Sequence, residues 1–123
     1  MADLYNAAIH GRTDEVKRLL KGGVDVNWQN KGGDTPLYVA AYGHTETIKL
    51  LLAGGAKVDL ADNNGITPLY VAADKGHTEA IKALLAGGAK VDLANNNGDT
   101  PMFAAAQNDH TGVIKLLDRR AHV

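Results

Sequence analysis

Neither cysteine nor serine occurs anywhere in the 123 residues. The first absence removes disulfides, thiolate metal sites and cysteine nucleophiles. The second removes any serine nucleophile. A chain without cysteine suits an intracellular (cytoplasmic) or recombinant protein, though it does not fix the compartment. Excess charge is missing as well: 13 Lys and Arg stand against 14 Asp and Glu, a formal −1. A broad nucleic-acid-binding surface needs a clear basic excess, so nucleic acid is not an expected partner. No apolar run approaches the roughly 18–20 residues of a membrane span. The start, Met1-Ala2-Asp3-Leu4, lacks the basic and apolar segments of a secretory signal. A membrane partner and secretion by its own signal are therefore not expected.

What remains is ordinary for one folded domain: 45% hydrophobic and 22% charged residues, at a length that the usual size prior assigns to a single unit. The sequence repeats itself. Thr35-Pro36-Leu37-Tyr38-Val39-Ala40-Ala41 returns as Thr67 to Ala73, and more weakly as Thr100-Pro101-Met102-Phe103-Ala104-Ala105-Ala106. Leu4-Tyr5-Asn6-Ala7-Ala8 fits the same pattern without Thr-Pro. Gly43-His44-Thr45-Glu46 recurs as Gly76 to Glu79, and Leu51 to Leu60 recurs as Leu84 to Leu93.

Each block predicts a local structure. Thr before Pro caps a helix and starts it, because the hydroxyl satisfies a free N–H and Pro suits the first turn. Gly-His breaks that helix. A second helix carries Ile48, Leu51 and Leu52, or Ile81, Leu84 and Leu85, at offsets of three and four that share one face. Gly-Gly then ends it through a left-handed residue, and Asn64-Gly65 or Asn97-Gly98 turns a tight loop. One such helix pair cannot bury its apolar face alone. Stacked copies can, which makes the expected molecule a solenoid.

On these blocks the chain resembles the ankyrin repeat family, whose unit carries a T-P-L-H-x-A-A core, a G-H turn and an L-L-x-x-G-A close. The resemblance implies an all-α solenoid of four stacked helix-turn-helix repeats with β-hairpin-like loops. Residues 1–123 then form a single domain, with units at about 3–29 (N-terminal cap), 30–61, 62–94 and 95–123 (C-terminal cap). Tyr38, Tyr70 and Phe103 stand where the family usually has His, and Tyr5 falls in the same column. The second unit is one residue short: Ala41-Tyr42-Gly43 stands against Ala73-Asp74-Lys75-Gly76. The expectation is a first helix ending about one residue early, Tyr42 turned toward the groove, and unchanged register beyond. Asp109 replaces the turn Gly of the fourth unit, and Asp118-Arg119-Arg120 replaces Ala-Gly-Gly. Such changes suit a cap with a wetter outer face, as do Glu15, Lys17 and Arg18 in the first unit.

Chemistry finds little purchase. His44, His77 and His110 are equivalent positions in successive units. Packed helices sit roughly 8–10 Å apart, too far for such side chains to share one ion. These histidines are expected to bond backbone in the inter-helix turns, with His10 apart from them and His122 in a frayed tail. Asp62-Asn63-Asn64-Gly65 imitates a calcium loop but puts Leu60 and Val71 at ligand positions, so that reading fails. No nucleotide cradle is present. No cofactor, metal or small-molecule substrate is therefore expected. Acidic and histidine side chains lie in repeating columns rather than one convergent cluster, so the chain is not expected to be an enzyme. The aromatic column of Tyr5, Tyr38, Tyr70 and Phe103 reads as a packed ladder with each hydroxyl on a backbone partner; the alternative is an exposed aromatic binding stripe.

The resemblance implies a protein-binding module working through loop tips and the first helix of each unit. Carried over, the loop set is Trp28, Lys31, Gly32 and Asp34, then Asn63, Asn64 and Ile66, then Asn96, Asn97 and Asp99. The helix set is Ile9 and His10, Tyr42, Asp74 and Lys75, then Gln107 and Asn108. Trp28, the only Trp, stands where other units have Leu60 and Leu93. Trp and Tyr lead among interface anchors, so Trp28, Tyr42 and Ile66 are first choices. Alternatively, Trp28 packs flat on the neighbouring loop and seals the first interface. The other functional reading is a bare structural or engineered scaffold without a dedicated partner. Near-identical middle units and missing Cys and Ser fit an edited sequence; the short second unit and ragged ends fit natural ancestry.

Overall fold

The computed structural model describes the backbone of residues 2–121 and all side chains between residues 3 and 118, so His122 lies outside it. Eight helices appear among the described residues: α1 (Ala2–Ile9), α2 (Thr13–Lys21), α3 (Pro36–Ala40), α4 (Thr45–Ala53), α5 (Pro68–Lys75), α6 (Thr78–Ala86), α7 (Pro101–Gln107) and α8 (Thr111–Ala121). They pack as consecutive pairs. The inner helices α1, α3, α5 and α7 stack in one row, and the outer helices α2, α4, α6 and α8 in a second.

Local chemistry sets the ends of these helices. Thr35, Thr67 and Thr100 each accept a hydrogen bond at Oγ1 from the backbone N–H three residues on, at 3.0, 3.2 and 3.2 Å. A Pro follows each at the first helical position, where its missing N–H costs nothing. Outer helices α4 and α6 stop at glycine pairs, and the second member takes the left-handed conformation, Gly55 and Gly88 both at φ 94°. No such pair interrupts α8, which runs on to Ala121.

Ile48, Leu51, Ile81 and Leu84 are fully buried, as are Val16, Leu37, Leu69 and Leu117 or nearly so. Burying a side chain of this kind contributes roughly 1.5–3 kcal/mol. The core is therefore a continuous seam between the two rows, fed by each pair in turn.

The turn glycines have a second reason to be glycine. In Gly11 and Gly76, φ is 66° and 75°, and an added Cβ would lie 2.6–2.7 Å from the ring of His44 or His110, one pair further along. Asp109 holds the same turn position in the last pair at φ 59°, the one described non-glycine residue with positive φ. Among the described residues no further helix pair stacks on it, and Asp tolerates the left-handed conformation.

Candidate functional site

The loops that precede α3, α5 and α7 are built alike. Asn30, Asp62 and Asn95 each accept two backbone N–H groups at one side-chain oxygen, at 2.8–3.0 Å. These side chains close the turns that Asn-Gly or Gly-Gly opens. Neighbouring loops are then stitched together. The Asn63 N–H donates to the Gly32 carbonyl and the Asn96 N–H to the Asn64 carbonyl, both at 2.9 Å. The side-chain amides of Asn63 and Asn96 add bonds to the carbonyls of Lys31 and Asn63, at 2.7 and 3.2 Å. The loop tips therefore form a braced row. Their hairpin character is limited to single backbone pairs such as Asp62 N–H to Ile66 carbonyl at 2.9 Å, and no strand appears among the described residues.

Beside this row, between α1 and α3, lies a depression of about 350 Å³ lined by Tyr5, Ile9, Asp34, Tyr38, Val39 and Tyr42. Two of its apolar walls are open to water: Ile9 is 42% and Tyr42 47% exposed. Tyr42 is there because α3 stops at Ala40. The following residues turn back through Gly43 at φ 135°, and the Tyr42 ring meets that of Tyr38 edge to face at 6.3 Å. The Lys75 ammonium sits 5.7 Å from the Tyr42 ring centroid, within reach of a cation–π attraction.

The Tyr38 hydroxyl faces the Asp62 carboxylate. Burial, reinforced by that negative charge, pushes its ionisation well above the ordinary 10.0. Tyr5 and Tyr70 are also raised, chiefly by burial. Asp34 is raised above the usual 3.8 by burial first; the Asn30 side chain pulls it back, and Asp62 pushes the same way as burial.

The expected site residues are distributed as follows. Asp34 and Tyr42 line the depression. Trp28 is half-buried and meets the Tyr5 ring edge to face at 5.8 Å. Lys31, Asn63 and Asn96 are exposed at the loop tips, while Ile66 and Asp99 are half-buried at the loop ends. Asp74 and Lys75 lie at the end of α5, 3.9 Å apart between charged atoms. Asn108 joins them, donating to the Asp74 carboxylate at 2.7 Å, and Gln107 is exposed beside it.

Three expectations need correction. The aromatic column is not a uniform buried ladder: Tyr38 is buried, but Phe103 is 48% exposed. Two of its hydroxyls use side chains rather than backbone, Tyr5 accepting from the Asn30 amide at 3.3 Å and Tyr38 interacting with Asp62. The inner helix of the second pair ends at Ala40 while α5 continues to Lys75, so it loses more than one residue. Tyr5, Tyr38 and Val39 join the depression although their sequence pattern marked them as framework. Tyr5 and Tyr38 do both: each packs in or against the core and also lines the depression.

The histidines do bond backbone where the turn permits. The His44 imidazole bonds the Ile9 carbonyl at 3.1 Å and the His110 imidazole the Asp74 carbonyl at 3.0 Å. His77 is exposed and makes no such bond among the described residues.

A family model described as ankyrin repeats (3 copies) matches residues 4–62 and again 42–123. The chain belongs to the ankyrin repeat family. Such repeats generally serve as protein–protein interaction modules, and the family is typically non-catalytic. No curated protein matches the chain. None of the described helices is long and apolar enough to cross a membrane.

Proposed function

We propose that residues 1–123 act as one non-catalytic binding domain for a protein partner, centred on the depression between α1 and α3. The carrying observation is the exposure of Tyr42 and Ile9 beside each other on an aromatic floor. Exposed apolar side chains gain free energy when a partner covers them. The stitched loops hold Trp28, Lys31, Asn63, Ile66, Asn96 and Asp99 in place beforehand, which lowers the ordering cost of binding. Asp34, Asp74, Lys75, Gln107 and Asn108 supply a polar rim around an apolar centre. No cofactor, metal, nucleic acid or small-molecule substrate has a part in this reading.

Selection of ligands from a displayed peptide library, followed by alanine substitution, tests it. Tyr42→Ala and Ile9→Ala are expected to weaken binding at least about tenfold, a typical hot-spot loss, with the helical spectrum intact. Lys49→Ala and Lys82→Ala, on outer helices, should change affinity little. Ligands that ignore the two groove substitutions and respond to the outer lysines would overturn the assignment. The near-identity of the second and third units favours a second reading, a bare scaffold, which a selection without specific ligands would support.

A further inference from the structure

We propose that the depression takes an arginine side chain of the protein partner, its guanidinium between the rings of Tyr5, Tyr38 and Tyr42 and its fork toward the Asp34 carboxylate. The proposal rests on the reading of this face as the binding surface and names the chemistry of what fills it.

Three aromatic rings and one carboxylate converge on this cavity, and Asp34 is the one charged residue in its lining. Aromatic faces attract cations, and Tyr42 already does so toward Lys75, whose ammonium lies 5.7 Å from its ring centroid. The charge of Asp62, in the next loop, acts on both Tyr38 and Asp34. Neither carboxylate has a Lys or Arg partner among the described residues. Lys75 is spoken for by Asp74 at 3.9 Å. The local balance is therefore negative, in a pocket whose walls exclude part of the water. The burial that raises Asp34, together with the repulsion from Asp62, is what an incoming cation would relieve.

Arginine fits better than lysine on three counts. Its guanidinium is planar and stacks on rings, it sheds water more readily than an ammonium, and its fork matches a carboxylate edge. Its stem lies well against Ile9 and Val39, as long basic side chains do on apolar walls.

The test titrates the whole protein, carrying labelled tyrosine rings, with the peptide acetyl-Leu-Arg-Leu-amide in an NMR experiment. A citrulline peptide of the same shape without the charge, and a lysine peptide, serve as comparisons. The arginine peptide should shift the ring signals of Tyr5, Tyr38 and Tyr42 saturably and leave Tyr70 unmoved. The citrulline peptide should bind about tenfold more weakly, and the lysine peptide more weakly than the arginine one. Asp34→Asn should bring the arginine peptide down toward the citrulline value without lowering the melting temperature. Equal binding of arginine and citrulline peptides at these rings would overturn the proposal while leaving the face as a binding surface. Equal binding of the lysine peptide would overturn the choice of arginine. No ring shift with any peptide would also overturn it, and the library selection would then decide alone whether the face binds.

Discussion

Helices α3 and α5 begin with the same five residues, Pro-Leu-Tyr-Val-Ala, and end in different places. In α5 the helix continues through Asp74 and Lys75 to a left-handed Gly76 at φ 75°. In the second pair one residue, Tyr42, stands where Asp74 and Lys75 stand, and the turn is rebuilt around Gly43 at φ 135°. Beyond the turn the two pairs agree again. Ile48 and Leu51 are as fully buried as Ile81 and Leu84. The apolar spacing of the outer helix thus holds the register, because sliding it would uncover that face. The turn carries the whole difference, and it puts an aromatic ring on the open face where the third pair has a charged pair.

The contrast extends to the junctions. His44 and His110 each bond a carbonyl two residues before the preceding turn glycine. The equivalent carbonyl for His77 belongs to Ala41, inside the shortened turn, and that bond is absent. Inner helix α3 also meets α5 along less of its length than α5 meets α7. The second junction is thus held mainly by the outer helices and the loop stitches.

The largest expected effect tests the shared register. Ile48→Ala and Ile81→Ala should each cost about 2–5 kcal/mol, with the same value within error by denaturant unfolding. A much smaller cost at Ile48 would mean that the second pair has slipped. Next comes alkaline stability. A tyrosine whose ionisation is raised in the folded state keeps its proton when the unfolded chain loses it, so stability falls as pH rises past about 10. Tyr38→Phe should flatten that fall more than Tyr70→Phe, since Tyr38 is the more buried and faces Asp62. Equal slopes in the two variants would contradict the assigned environments.

A smaller effect comes from Thr47, buried in α4 with its hydroxyl unpartnered, at the position where α6 has Ala80. Leaving such a group buried costs about 1–3 kcal/mol. Thr47→Ala should therefore raise the melting temperature, and Ala80→Thr should lower it. The smallest contrast lies in the histidines. His44→Ala and His110→Ala should each lose about 1 kcal/mol, the net worth of one hydrogen bond, and His77→Ala clearly less.

The repeat blocks made most of this fold legible. Thr-Pro caps, glycine stops and three-and-four apolar spacing are local devices, and each formed where its residues stood. The site was only half legible. Tyr42 could be picked out because it departs from the repeated pattern, and Asp34 because the family resemblance puts its loop column on the binding face. Tyr5 and Tyr38 could not, because a ring that packs on the core and also lines a cavity has the same sequence signature as a core ring. The missing His77 bond was hidden for a related reason. Its residue type fits the repeat, and the acceptor it lacks is displaced by a change one unit earlier. Phe103 is exposed on α7, against which no further inner helix packs among the described residues, a matter of position in the stack rather than of residue type.

The central claim is that the shortened turn keeps the framework and creates the binding face. It is tested most directly by replacing Tyr42 with Asp-Lys, which restores the turn of the third pair, and measuring affinity for a ligand selected on the original chain. The expected result is an affinity at least about tenfold weaker, with a melting temperature equal or higher. Undiminished affinity in a variant of unchanged helicity would contradict the account.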